Sequence, residues 1–180
     1  MIFEELDDTT RRYMLEEFQK EEKSGNPYRS NRMSAEGLAN VARHMEDAIK
    51  SGNENTLAAS LSNSNYWKQY ETRRDKNTIS QVEINPIEAA KVLGLTEFNT
   101  WYVRGMVKRL MDEGQKYCEI YRAESADKPR CQCSMYEGQK IELQKIYEGH
   151  RAKYHPVANY GAFSIPSGPN CHHTIKRIKQ

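Results

Sequence analysis

The sequence predicts an α+β fold, with a helical N-terminal part, a small sheet and a loop-rich C-terminal module. Three observations lead there. Apolar residues recur at three-and-four spacing through the first half of the chain and again around residue 100. Short runs alternate at period two near residues 80–84 and 116–122. From Ala123 onward glycine and proline punctuate the chain, and cysteine and histidine gather towards its end. On this basis the chain divides into a helical region over 1–77 and a mixed α/β region over 78–180 that carries the Cys/His module.

Taken in order, Asp8 or Thr9 can cap a first helix that runs to about Lys23, with Tyr13, Met14 and Phe18 as a narrow apolar stripe. Ser34 caps a second helix, in which Leu38, Val41, Ala42, Met45 and Ile49 share one face before Gly52-Asn53 stops it. Asn55 is expected to cap a short third helix reaching Leu61. The polar stretch 62–77 reads as an exposed loop or hairpin tip, and 82–84 as a short strand. Asn85, Pro86 and Glu88 then make the best helix start in the chain. That helix is expected to end at Leu93-Gly94, with Thr96 capping a longer one built on Phe98, Trp101, Tyr102, Met106 and Leu110. A strand over 117–121 follows, and it is expected to share one sheet with the 82–84 strand.

Composition narrows the class. The hydrophobic fraction is 37% and mean hydropathy is −0.91, so the core must be thin or completed by a partner, a metal or a homo-oligomer. With 27 basic and 25 acidic residues the net charge is +2, and no global field demands nucleic acid or an anionic membrane. No window approaches the roughly 20 apolar residues of a membrane span, and the N-terminus lacks a signal pattern. A soluble protein made in the cytoplasm is expected, and its four cysteines would stay reduced, which favours metal ligation or burial over disulfides.

Zinc takes four ligands in a tetrahedron of thiolate and imidazole, and local pairs lower the entropic cost of assembling it. Cys131 and Cys133 can point the same way from an extended strand, and so can Cys171 and His173. The four make a Cys3His set for one structural zinc ion, with Cys118 as a spare ligand and His172 facing away. The plainer alternative is a group of buried thiols beside surface histidines.

The string Cys133-Ser134-Met135-Tyr136-Glu137-Gly138-Gln139, followed by Pro169-Asn170-Cys171-His172-His173-Thr174-Ile175, resembles the cysteine-rich end of tailed-phage minor head proteins of the Mu-like head-morphogenesis family. In that family a cysteine pair precedes a glycine, and a Pro-Asn-Cys element followed by Arg and a last Cys or His closes the module. Cys133 and Gly138 match the first part, and Cys171 and His173 the second. The first pair here is one residue apart where the family has two, and His172 stands where the family has arginine. The resemblance is confined to residues 96–180. It implies a non-enzymatic phage or prophage structural or assembly protein, located in the host cell and the virion, docking on portal or capsid protein and contacting DNA.

Two other readings compete. Residues 84–100 resemble a helix-turn-helix, whose second helix would offer Asn99, Arg104 and Lys108 to nucleic acid. His150, His155, His172 and His173 lie near Glu137, Glu142 and Glu148 in sequence, which would suit a metal-dependent nuclease of a mobile element.

Overall fold

The structure, a computed structural model, describes residues 1–75, 78–125 and 133–178, with the backbone alone at Cys133 and Ser134. It is α+β. Helices α1 (Asp8–Lys23), α2 (Ala35–Ser51) and α3 (Glu54–Ser60) precede a hairpin of β1 (Tyr70–Asp75) and β2 (Thr78–Glu83). The long helix α4 (Pro86–Asp112) leads into β3 (Tyr117–Arg122), β4 (Lys140–Glu142), α5 (Leu143–Glu148) and β5 (His173–Lys176).

Each of the first four helices opens on a side-chain cap. Asp7 accepts from Thr10 N, Ser34 from Gly37 N, and Asn85 from Ile87 N and Glu88 N, with Pro86 in the first turn. Asn53 and Thr56 cap each other's backbone amides reciprocally at α3, so this helix starts earlier than the expected cap at Asn55. The first cap likewise falls at Asp7, just before the expected Asp8 or Thr9.

The expected break at Gly94 does not occur. α4 runs unbroken for 27 residues, and Thr96, foreseen as a cap, lies inside it with its carbonyl accepting from Thr100 Oγ1. Gly94 serves contact instead of termination: a Cβ there would stand 2.8 Å from Glu54 O and 3.0 Å from Ala58 Cβ, so its absence lets α3 lie against α4. No helix-turn-helix therefore exists over 84–100.

α4 is the axis of the molecule. α3 packs on its first half and α1 on its second, where a Cβ at Gly105 would meet Met14 N at 2.7 Å. One hydrophobic cluster joins Met14, Ile49 and Leu57 of the first region to Trp101, Leu110, Ile120 and Ile175 of the second. Each such side chain, fully buried, contributes about 1.5–3 kcal/mol.

The strands form two sheets where one was expected. β1 and β2 pair only with each other among the described residues, from Tyr70↔Glu83 to Asp75↔Thr78. β3 sits between β4 and β5 in a separate antiparallel sheet. The physical reason is burial. Cys118 and Ile120 on β3 are fully buried beneath the core and need neighbours that bury apolar residues too, which Ile141 and Ile175 supply. The β1–β2 ribbon is polar and exposed along most of its length.

Candidate functional site

The Cys171/His173 pair is built by a turn and a strand start. Asn170 adopts φ 57°, a left-handed conformation that asparagine tolerates, and Cys171 N donates to Gly168 O at 3.2 Å. β5 begins two residues on, at His173, whose ring comes to lie beside the Cys171 side chain. Cys171 Sγ lies 3.9 Å from His173 Nδ1, and the residues are 4% and 2% exposed. Ser167 Oγ approaches the same sulfur at 3.6 Å.

The other ring nitrogen, His173 Nε2, lies 3.0 Å from Glu137 Oε1. Glu137 comes from a turn fixed to β3 by Gly138 N donating to Ile120 O at 2.8 Å, with Gly138 at φ 75°, where a side chain would be strained. Arg122, directly across the ladder from His173, donates to the same Glu137 oxygen from Nε at 2.8 Å and from Nη2. The hydrogen bonds from His173 and then Arg122 hold the Glu137 carboxyl below its usual range.

These residues fit one edge of a zinc site. A tetrahedral ion with thiolate at about 2.3 Å and imidazole nitrogen at about 2.0–2.1 Å sets those two donors about 3.6 Å apart. The observed 3.9 Å is close to that. A carboxylate on the far ring nitrogen is the usual second partner of a metal-bound histidine. Cys133 opens a 3₁₀ turn (Cys133–Tyr136) shortly before Glu137, which replaces the expected extended strand. Cys131 and the side chain of Cys133 lie outside the described residues. Among the described residues no three metal-ligating side chains converge.

Cys118 is not a spare ligand. It lies four residues along β3 from Arg122, about 13 Å at strand rise. Burial pushes its thiol up to about 12, so it behaves as a core side chain.

The three residues expected to face nucleic acid have other roles. Asn99 is fully buried, and its Nδ2 donates to His173 O at 2.8 Å, which ties β5 to α4. Arg104 pairs with Glu17 at 2.6 Å, donates to Tyr147 O at 2.7 Å and stacks 3.5 Å over the Tyr147 ring. Lys108 is at the surface and pairs with Asp112. Of the three, Lys108 alone lies at the surface, while Asn99 and Arg104 are engaged within the fold.

Nor do the histidines converge. His173 binds Glu137, His155 Nε2 contacts Asn26 O at 2.8 Å, His150 Nε2 contacts Glu21 Oε2 at 3.0 Å, and His172 Nδ1 is buried without a hydrogen-bond partner. Glu142 precedes α5, and Glu148 accepts from Gln144. The expected nuclease arrangement is absent among the described residues.

A network that the sequence did not reveal lies beyond α5. Arg151, at φ 53°, is 4% exposed and reaches Glu97 with both terminal nitrogens, Glu21 with Nε and the Tyr154 hydroxyl. Burial and the neighbouring Arg151 and Arg104 hold His150 down at about 4, against the opposing pull of Glu21. Burial pushes the Glu21 carboxyl up, but the His150 hydrogen bond and the Arg151 charge outweigh it and hold the group at about 2. Beside this network a cleft of about 730 Å³ opens between the 26–32 loop and α4, with Tyr28, Arg29, Arg32, Trp67 and Tyr154 on its walls. Arg29 is paired with Glu22 and Arg32 with Glu71, so these cations are already matched.

No family model matches this chain, and no curated protein or solved structure matches it.

Proposed function

We propose that this chain is a non-enzymatic structural or assembly protein of the tailed-phage minor head type, held at its C-terminal end by one structural zinc ion and docking on portal or capsid subunits. The observation that carries the reading is the approach of Cys171 Sγ to His173 Nδ1 at 3.9 Å, with Glu137 behind the ring. Cys171 and His173 supply two donors, and Cys133 and Cys131 are the remaining donors by their place in the sequence. When bound, zinc would cross-link the turn-rich end of the chain.

A structural role is favoured over a catalytic one by access. Catalytic zinc keeps a position open for water or substrate, whereas structural zinc is enclosed by protein. Both described donors are almost wholly removed from solvent. The same enclosure argues against Cys171 as a nucleophile, although a histidine and a carboxylate stand in line behind it.

The test is zinc analysis together with sedimentation of the purified full chain. About one zinc per chain, with oligomers or association with capsid particles, is expected. A zinc-free folded monomer, whose DNA binding weakens steeply with salt, overturns the reading in favour of a DNA-binding protein.

A further inference from the structure

We infer that the cleft between the 26–32 loop and α4 is a binding site for a small molecule that joins a planar ring to a carboxylate or phosphate. It needs no metal. Its volume, about 730 Å³, falls within the range of ligand pockets, about 300–1,000 Å³.

The walls select the ring. Ala89, Val92, Leu93 and Thr96 follow the three-and-four spacing that places them on one face of α4, and Val92 and Leu93 are only half-buried there. Tyr28, Tyr154 and His155 supply aromatic wall, with Tyr28 edge-on to the other two at ring-centre distances of 5.2 and 5.7 Å. The fold holds these rings in place. Arg151 donates to the Tyr154 hydroxyl at 3.1 Å, His155 Nε2 lies 2.8 Å from Asn26 O, and Trp67 Nε1 donates to Leu61 O at 2.8 Å. With these polar atoms engaged, the rings offer a ligand chiefly π surface, and a wall ordered beforehand lowers the entropic cost of binding.

Arg32 selects the anion. Arg29 commits both terminal nitrogens to Glu22. Arg32 meets Glu71 at 3.0 Å through Nε in an ion contact that is not a hydrogen bond, and its side chain makes no hydrogen bond among the described residues. Its two terminal nitrogens are left as a fork for a planar anion. Both cations are matched in charge from outside the cleft, since neither Glu22 nor Glu71 is on its walls, and Glu97, which is, already holds Arg151 through both oxygens. Thr96 adds one polar contact. It is 7% exposed, and its hydroxyl is buried without a hydrogen-bond partner. Leaving such a group unpaired is costly, and a ligand atom that pairs with it recovers the loss.

The experiment titrates the full chain by isothermal calorimetry with adenosine monophosphate and, separately, with indoleacetate, each a ring joined to an anion. Adenosine with inorganic phosphate, and indole with acetate, are the separated halves. Saturable binding of at least one joined probe at a single site per chain, about tenfold or more tighter than either of its halves, is the expected result, and the probe that binds names the anion. Arg32→Gln should weaken that binding by about 10–100-fold and Thr96→Val by about 2–10-fold, with a cooperative melt retained in each. Failure of both joined probes to bind, a half that binds as tightly as the whole, or unchanged affinity in both variants overturns the inference. The comparison of whole with halves needs no variant, so it decides the matter even where Arg32→Gln does not fold. None of these readouts involves zinc, so their failure leaves the zinc reading standing.

Discussion

Arg151 Nη2 lies 2.6 Å from Glu97 Oε2, and its Nη1 lies 2.9 Å from Oε1, a two-pronged pair with both side chains almost wholly out of water. It joins the segment after α5 to the middle of α4, across 54 positions of sequence. The guanidinium also stands 5.1 Å from the Trp101 ring centre and 4.8 Å from that of Tyr28. Burial disfavours its charge, but Glu97 outweighs that effect and raises its affinity for the proton.

Breaking this pair from one side leaves a charge buried without its match. Glu97→Ala is expected to lower unfolding free energy by about 3–5 kcal/mol, towards the low end because Glu21 still faces Arg151. The double variant Glu97→Leu with Arg151→Met should recover much of that loss, since apolar packing replaces both charges. Urea unfolding of the three proteins checks this. A double variant as unstable as Glu97→Ala alone would contradict it.

Stability should fall with acidity in two windows. His150 is held at about 4 against an ordinary 6.5, so between those values the unfolded chain takes up a proton that the folded chain refuses. Its contribution is complete above pH 6.5 and lost as pH falls towards 4, by roughly 1–3 kcal/mol. Glu21, held at about 2 against 4.5, adds a further loss as pH falls through that lower range. His150→Gln should flatten the upper window and also shrink the lower one, because the His150 contact helps hold Glu21 down. Burial lowers His44 as well, so a small remnant of the upper slope should persist. Urea midpoints measured from pH 8 down to pH 3 test the point, and an unaltered upper slope in His150→Gln would refute it.

Gly105→Ala should destabilise although alanine favours helix. The gain in propensity is about 1 kcal/mol. Against it, the added methyl would sit 2.7 Å from Met14 N and 2.9 Å from Met14 Cα, backbone atoms that move only if α1 moves. Overpacking of this kind costs about 1–3 kcal/mol, so a net loss and a lower Tm are expected. A higher Tm would mean that α1 and α4 are less closely seated than described.

Features written in adjacent residues were legible in the sequence. The start of α4 was readable because a cap and a proline act within one turn of helix. The approach of Cys171 to His173 was readable because the two are separated by a single residue. Gly94 was not, since a glycine that ends a helix and one that admits a neighbour look alike until Glu54 and Ala58 are seen beside it. Asn99 looked like a base-reading residue for the same reason: its partner, the His173 carbonyl, is 74 positions away. Glu137 lay inside the motif that pointed to the C-terminal module, yet its link to His173 spans 36 positions and has no local signature. The pairing of Glu97 with Arg151 left no trace in periodicity or spacing.

Zinc content of the purified full chain tests the central claim most directly. After dialysis against metal-free buffer, elemental analysis should find about one zinc per chain, lost in both Cys171→Ser and His173→Ala, and a strong chelator should lower the melting temperature of the wild type but of neither variant. A metal-free wild type that melts cooperatively at the same temperature with and without chelator would contradict it.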